Sequence, residues 1–239
     1  MHTLIENLVS ASLDAVFPQR CILCGSIVSR VPWSPAPLCV SCEHTLECIG
    51  GPRCRRCGRR LISEQDYCVE CRSEENALFR ILPLFEFRGG AASLIHSYKI
   101  EERASLAYYF AYKITKLEAL FDDTFGDFSI VPVPPRPEKI RTGKLDQVGV
   151  LAEVLAQFGF QYKRLLVRLP GGRQQKLLDR AERLKNASAS YALRSPSQVP
   201  NRIMLLDDVC TTGATLEACA RLLAREGTEV AGAIVLAAD

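Results

Sequence analysis

The chain has 239 residues, 48% of them hydrophobic and 24% charged, with a formal net charge of +3. That length holds one ordinary domain plus something small, and that composition supplies a real core, so a disordered chain is excluded. The longest apolar runs fall well short of the ~20 residues of a membrane-spanning helix, and MHTLIENLVSASLDAVF has no basic start. The expectation is a cytoplasmic protein with neither a membrane span nor a secretory signal.

In a reducing compartment the eleven cysteines are not expected to form disulfides, which turns attention to metal. Eight fall in four CxxC pairs: Cys21 and Cys24, Cys39 and Cys42, Cys54 and Cys57, Cys68 and Cys71. Each pair can form a knuckle presenting two thiolates, and two knuckles close a tetrahedral Cys₄ zinc site with no open catalytic position. Two structural zinc ions are therefore expected, pairing the first two knuckles and the last two, because neighbouring pairs close the shortest loops. So short a segment buries little apolar surface, and its zinc ions would supply most of its folding free energy. Cys48 lies between knuckles, Cys219 falls on an apolar helix face, and Cys210 has no histidine near it in sequence to support a nucleophile. Arg53, Arg55, Arg56, Arg59 and Arg60 crowd the third knuckle, where they form either a phosphate contact or a solvated face. Residues 1–76 hold eight Arg against nine Asp plus Glu, so this part is not basic as a whole.

After the cysteines, strand and helix patterns alternate. ALFRILPLFEF (77–87) reads as a strand, and ASLIHSYK and RASLAYYFAYKITKLEAL as helices, the second with Leu106, Phe110, Ile114 and Leu117 on one face. DFSIVPVP (127–134) is a second strand, LDQVGVLAEVLAQF (145–158) a helix stopped by Gly159, and KRLLVRL (163–169) a third strand. A long polar stretch from Pro170 to about Ser190 precedes the strand at 203–207. A helix from Ala214 towards Gly227 and a last strand, EVAGAIVLA, complete the chain. Repeated β–α units with apolar strands predict an α/β fold with a parallel sheet covered on both faces. Ligands of such sheets bind beyond the carboxyl ends of the strands, where DDVCTTGAT and PVPPRPEK both fall.

In the first of these loops Thr211, Thr212, Gly213, Ala214 and Thr215 run into a helix N-terminus. Unpaired backbone N–H groups and the positive dipole end make a phosphate site there. Asp207 and Asp208 just before it cannot bind phosphate directly and need hydroxyl donors or a cation. A 5′-phosphorylated ribose satisfies both halves.

IMLLDDVCTTGAT resembles the phosphoribosyl-pyrophosphate (PRPP) signature of type I phosphoribosyltransferases, in which an acidic pair holds the ribose hydroxyls and a TTGAT-type loop wraps the 5′-phosphate. The whole chain resembles the ComF family of competence proteins, which join an N-terminal double zinc ribbon to such a domain. LDAVFPQRCILCG is similar to that family's opening. IVPVPPRP, the later LDQ, and Gln175, Leu178, Arg183 and Asn186 in QKLLDRAERLKN match its middle blocks. The resemblance implies a Rossmann-like parallel sheet of type I phosphoribosyltransferase type in residues 77–239, preceded by an N-terminal helix and double zinc ribbon in residues 1–76. It assigns PRPP, with magnesium, to Asp207, Asp208, Thr211, Thr212, Gly213, Ala214 and Thr215, and a pyrophosphate loop to Val133, Pro134, Pro135 and Arg136. The function it implies is DNA uptake in natural transformation, with single-stranded DNA and the DNA-uptake machinery as partners. The alternative is an active phosphoribosyltransferase, a pentosyl transferase that moves ribose 5-phosphate from PRPP to an unidentified nitrogenous acceptor. The chain departs from the family at GKLDQ (143–147), where an arginine is lost and an asparagine becomes Asp146.

Residues 128–185 contain twelve Lys plus Arg against five Asp plus Glu. This excess falls on the pyrophosphate loop and on the flexible loop at about Gly171 to Asn186, and it suits a pyrophosphate or the backbone of single-stranded DNA. No dedicated general base is visible, although His96 and Lys99 could approach the site.

Overall fold

A computed structural model describes residues 18–28, 38–46, 52–54, 56–62, 65–72, 80–117, 127–170, 190–194 and 199–238. The family-like opening before Pro18, Cys48, Arg55, the end of the predicted 103–120 helix, and the loop holding Gln175, Leu178, Arg183 and Asn186 lie outside the described residues.

Five strands form one parallel sheet: β3 (Arg80–Glu86), β4 (Ser129–Pro132), β5 (Gln161–Tyr162), β8 (Arg202–Cys210) and β9 (Glu229–Ala238), in the order β3-β9-β8-β4-β5. The central strands are apolar without interruption because both faces are covered. Along β8, Met204 and Leu206 enter a core with Phe85, Leu94, Tyr98, Phe110, Leu151 and Leu155. Ile203 and Leu205 enter a second core with Leu216, Cys219, Leu223, Ala233 and Val235. This is the two-residue alternation of a strand.

The first core is covered by α3 (Gly89–Lys99), α4 (Leu106–Ile114) and α6 (Gln147–Gln157), the second by α7 (Ala214–Ala224). Asp146 starts α6: its Oδ1 accepts from the Gly149 N–H at 2.9 Å, the side-chain cap that satisfies a first-turn amide. The short helix α5 (Pro137–Arg141) opens with its proline at the first turn, where the missing N–H costs nothing. The chain thus has a five-stranded parallel sheet with helices covering both faces.

Two elements differ from the sequence pattern. The strand predicted at 163–169 divides: Gln161–Tyr162 pairs with β4, while β6 (Leu166–Arg168) leaves the sheet and pairs antiparallel with β7 (Tyr191–Leu193). Beyond β4, Pro134 and Pro135 have no N–H to continue the ladder, and Leu165 and Leu166 gain burial in the second core instead. The strand predicted to end at the acids continues to Cys210, because β9 is long enough to pair Asp207 with Val235 and Cys210 with Ala238.

Before the sheet come β1 (Gln19–Arg20), paired antiparallel with β2 (Ile27–Val28), and the short helices α1 (Val40–Thr45) and α2 (Val69–Arg72). This region is not a detached appendage. Cys21, Leu38 and Leu46 belong to the first core, and Glu43 pairs with Lys113 of α4 at 2.9 Å. Further on, the Ile81 N–H donates to the Arg56 carbonyl at 2.8 Å, so the segment around Arg56 supplies a partner to β3, an edge strand that otherwise presents open hydrogen-bonding groups.

Candidate functional site

The eight knuckle cysteines gather into two groups, Cys21, Cys24, Cys39 and Cys42, and Cys54, Cys57, Cys68 and Cys71, with the sulfur atoms of each group within 4.8 Å of one another. This is the expected pairing of neighbouring knuckles. The first knuckle of each group has one backbone pattern. The Cys21 N–H bonds the Ser26 carbonyl and the Gly25 N–H the Cys21 carbonyl, as the Cys54 N–H bonds Arg59 and the Gly58 N–H bonds Cys54. Both turns therefore present two sulfurs on one side.

Tetrahedral zinc with Zn–S near 2.3 Å separates its sulfurs by about 3.8 Å. Cys24 and Cys39 lie 3.6 Å apart and Cys57 and Cys68 3.8 Å apart, so the residues fit zinc. Four crowded thiols cannot all ionise without a cation. Burial raises Cys57 to about 12 and Cys71 further, with the neighbouring cysteines adding to both. Cys54, despite burial that opposes it, is lowered to about 7 by backbone hydrogen bonds from Cys57, Cys68 and Arg56. These groups suit two closed structural zinc centres.

Two arginines of RCRRCGRR, Arg53 and Arg56, are engaged within the protein, while Arg60 is exposed. Arg53 donates to the Gly58 carbonyl at 2.6 Å and pairs with Glu86 at 3.2 Å, and Arg56 donates to the Cys71 carbonyl at 3.1 Å.

The second site lies at the carboxyl ends of β4 and β8. Asp207 and Asp208 are neighbours in sequence, but strand alternation sends their side chains to opposite faces. Asp208 is on the side of the first core, where its Oδ2 meets the Lys99 ammonium at 2.6 Å and its Oδ1 accepts from the Val209 N–H at 2.6 Å. Asp207 accepts from the Asp208 N–H at 2.8 Å. Burial, then the Asp208 charge, pushes Asp207 up to about 7, although the Asp208 amide, Lys99 and Arg168 favour its ionised form. On that side lies buried Tyr191, with the Arg168 guanidinium 5.3 Å from its ring centroid and its phenol raised to about 12, first by burial.

Beyond β8, Thr211 and Thr212 are exposed, Thr215 is half-buried, and Gly213 caps α7 in the left-handed region at φ 74°. The Thr212 Oγ1 accepts from the Ala214 N–H at 3.5 Å. The Val133 N–H donates to the Leu206 carbonyl at 2.9 Å, which brings Val133, Pro134, Pro135 and Arg136 out of the sheet beside the acidic pair. Val133 is buried, the two prolines are half-buried and Arg136 is exposed. The acids, the threonine–glycine loop and the proline loop therefore share one end of the sheet.

At this end Gln147 and Tyr98 carried no role in the sequence reading. Gln147, 2% exposed, donates from Nε2 to the Lys99 carbonyl at 3.0 Å and accepts from the Lys139 ammonium through Oε1. The Tyr98 hydroxyl donates to the Gln147 carbonyl at 2.6 Å. The signal for Gln147 was a glutamine in the first turn of an otherwise apolar helix. Lys139 is pulled down, first by burial, with Lys99 adding repulsion and Asp208 opposing it. Of the two residues weighed as approaching the site, Lys99 does so and His96 is exposed. Asp146, where an asparagine was expected, is held by Arg164 at 2.8 Å as well as capping α6. A divalent cation held directly by Asp208 does not fit, because the Lys99 ammonium already stands against that carboxylate.

A family model described as a double zinc ribbon domain matches residues 12–72. The chain is 26% identical over 221 residues to competence protein ComFC of Streptococcus pneumoniae, covering 88% of this chain and 96% of that protein. Over nearly its whole length the chain is therefore similar to a protein named for competence. It is also 23% identical over 216 residues to the DNA utilization protein YhgH of Escherichia coli, covering 88% of this chain and 92% of that one. A shorter stretch of 85 residues is 40% identical to adenine phosphoribosyltransferase of Clavibacter michiganensis, covering 35% of this chain and 49% of that enzyme. Among the described residues no helix is long and apolar enough to cross a membrane.

Proposed function

We propose that the end of the sheet holds PRPP, and that the protein acts in DNA uptake by handling single-stranded DNA under the control of that ligand. The observation that carries the first half is the strand–loop–helix unit itself. Its two carboxylates precede a left-handed Gly213 at the N-terminus of an eleven-residue helix. The 5′-phosphate would sit against the first turn of α7, with Thr211, Thr212 and Thr215 as hydroxyl donors, and the ribose hydroxyls would bond Asp207 and Asp208. The pyrophosphate would face Val133 to Arg136. The second half rests on the relatives named for competence and for DNA utilization.

A second reading, phosphoribosyl transfer to a nitrogenous acceptor, is favoured by the stretch similar to adenine phosphoribosyltransferase. In that case pyrophosphate leaves ribose C1 as the acceptor nitrogen attacks, and basic side chains stabilise the departing charge.

Calorimetry with PRPP tests the common part: replacing Asp207 and Asp208 together by asparagine greatly weakens binding while the fold remains intact. Removing two negative charges would by itself help a polyanion bind, so unchanged or tighter binding rules out the ribose-hydroxyl contacts. Release of pyrophosphate from PRPP across a panel of bases, with and without single-stranded DNA, separates the two readings.

A further inference from the structure

We propose that Lys99 is a built-in counterion of Asp208 that takes the place of a divalent cation at the acidic pair, so that the site accepts a ribose phosphate without a metal ion bound to protein carboxylates. The inference rests on the sugar-phosphate reading of the α7 loop for its ligand, but its geometric basis is separate.

Lys99 is not a loose surface lysine. It is the last residue of α3, where the negative end of the helix favours a cation. Its carbonyl is bound by Gln147, whose other amide atom takes the Lys139 ammonium, so one buried side chain ties the end of α3 to Lys139. Tyr98, fully buried, ties the same helix end to the backbone of Gln147.

Two other acids near Lys139 are otherwise engaged. Asp146 pairs with Arg164 and caps α6, and Glu102 accepts from the Leu145 N–H at 2.9 Å. Asp208 is left with the ammonium at 2.6 Å on one oxygen and a backbone amide on the other. A hard divalent ion requires several oxygen ligands and favours anionic ones. Here it would meet the Lys99 ammonium at the Asp208 carboxylate instead. Asp208 nevertheless keeps lone pairs for a sugar hydroxyl, and the ammonium has further N–H donors for a ligand oxygen. The cluster thus supplies both kinds of contact from its own side chains.

The test uses the zinc-loaded full chain and two probes. In the first, Mn²⁺ is titrated and followed by electron paramagnetic resonance. Lys99→Met is expected to gain a site at least about tenfold tighter than any in the unaltered protein, and Lys99→Met with Asp208→Asn to lose it again. Lys99→Arg, which keeps the charge, should behave as the unaltered protein. Lys99→Gln is read alongside in case the methionine variant folds poorly, with circular dichroism and zinc content checking each. A tight Mn²⁺ site in the unaltered protein that Asp208→Asn abolishes, or no gain in either neutral variant, overturns the proposal.

The second probe is ribose 5-phosphate, which has no pyrophosphate to carry a cation of its own. It should bind the unaltered protein equally, within about twofold, with and without Mg²⁺, and bind Lys99→Met at least about tenfold more weakly when Mg²⁺ is absent. A requirement for Mg²⁺ in the unaltered protein overturns the proposal. If ribose 5-phosphate binds under no condition, the sugar-phosphate reading fails, and the Mn²⁺ titration still decides the role of Lys99.

Discussion

Asp207 illustrates how a side chain that is suited to a ligand can cost the free protein stability. Its carboxyl ordinarily titrates near 3.8 and is pushed up to about 7, so the folded chain holds a proton there that the unfolded chain has already lost. Stability linked to this group is therefore highest below its unfolded value and declines as the pH rises from about 4 to about 7. Asp207→Asn should remove that decline, so that the variant gains stability relative to the parent as the pH rises from about 4 to about 7 in urea titrations. An unchanged difference across that range would show that the carboxylate is already compensated. The sequence exposed the acidic pair plainly, as two charges after an apolar run. It did not reveal that the two residues do different work. Asp208 has a lysine partner from a helix more than a hundred positions earlier, and no local pattern could signal that contact.

At the scale of elements, the second cysteine group is also part of the sheet's edge. Gly58 turns in the left-handed region at φ 71° directly against β3, and a Cβ there would overlap the Pro83 ring and approach the Ile81 carbonyl at 2.9 Å. Gly58→Ala should therefore cost about 1–3 kcal/mol in thermal or chemical unfolding, through backbone strain and displacement of the zinc turn from the strand. Arg53→Ala should also destabilise the protein, since Arg53 and Glu86 are 14% and 16% exposed in their pairing, yet leave affinity for single-stranded DNA unchanged. Spacing alone made the cysteine knuckles legible, because a closed metal site needs only local pairs of thiolates. The docking was not legible, since Arg53 in a basic run has the same sequence appearance whether it faces solvent or folds back onto Glu86. The β6–β7 pair escaped for a related reason: KRLLVRL has a strand's composition throughout, and only the prolines on the neighbouring strand explain why it leaves the sheet.

At the scale of the whole molecule, the question is which basic residues remain available to a long polyanion. The basic excess within residues 128–185 includes Arg136, Lys139, Arg141 and Lys144, which charge counting alone treats as equivalent contacts. The fold makes them unequal. Lys139 is half-buried and held by Gln147, and Arg141 shares its charge with Glu138 at 3.5 Å, an exposed and weak pair. Arg136 and Lys144 are exposed on either side of α5. If single-stranded DNA follows this surface, each lost phosphate contact lowers the magnitude of the slope of log K against log salt by about 0.7. Arg136→Ala with Lys144→Ala should then lower it by about 1.4, and similarly for unrelated sequences, because phosphate contacts carry no base readout. Lys139→Ala should leave the slope almost unchanged, a contrast that charge counting cannot produce. Arg136 also belongs to the proposed pyrophosphate loop, so saturating PRPP should compete with DNA in the parent protein and compete less in the double variant. A slope unaffected by the double substitution would move the DNA contact elsewhere. No binding even at low salt, where these contacts are strongest, would instead favour transfer of the phosphoribosyl group to a small-molecule acceptor.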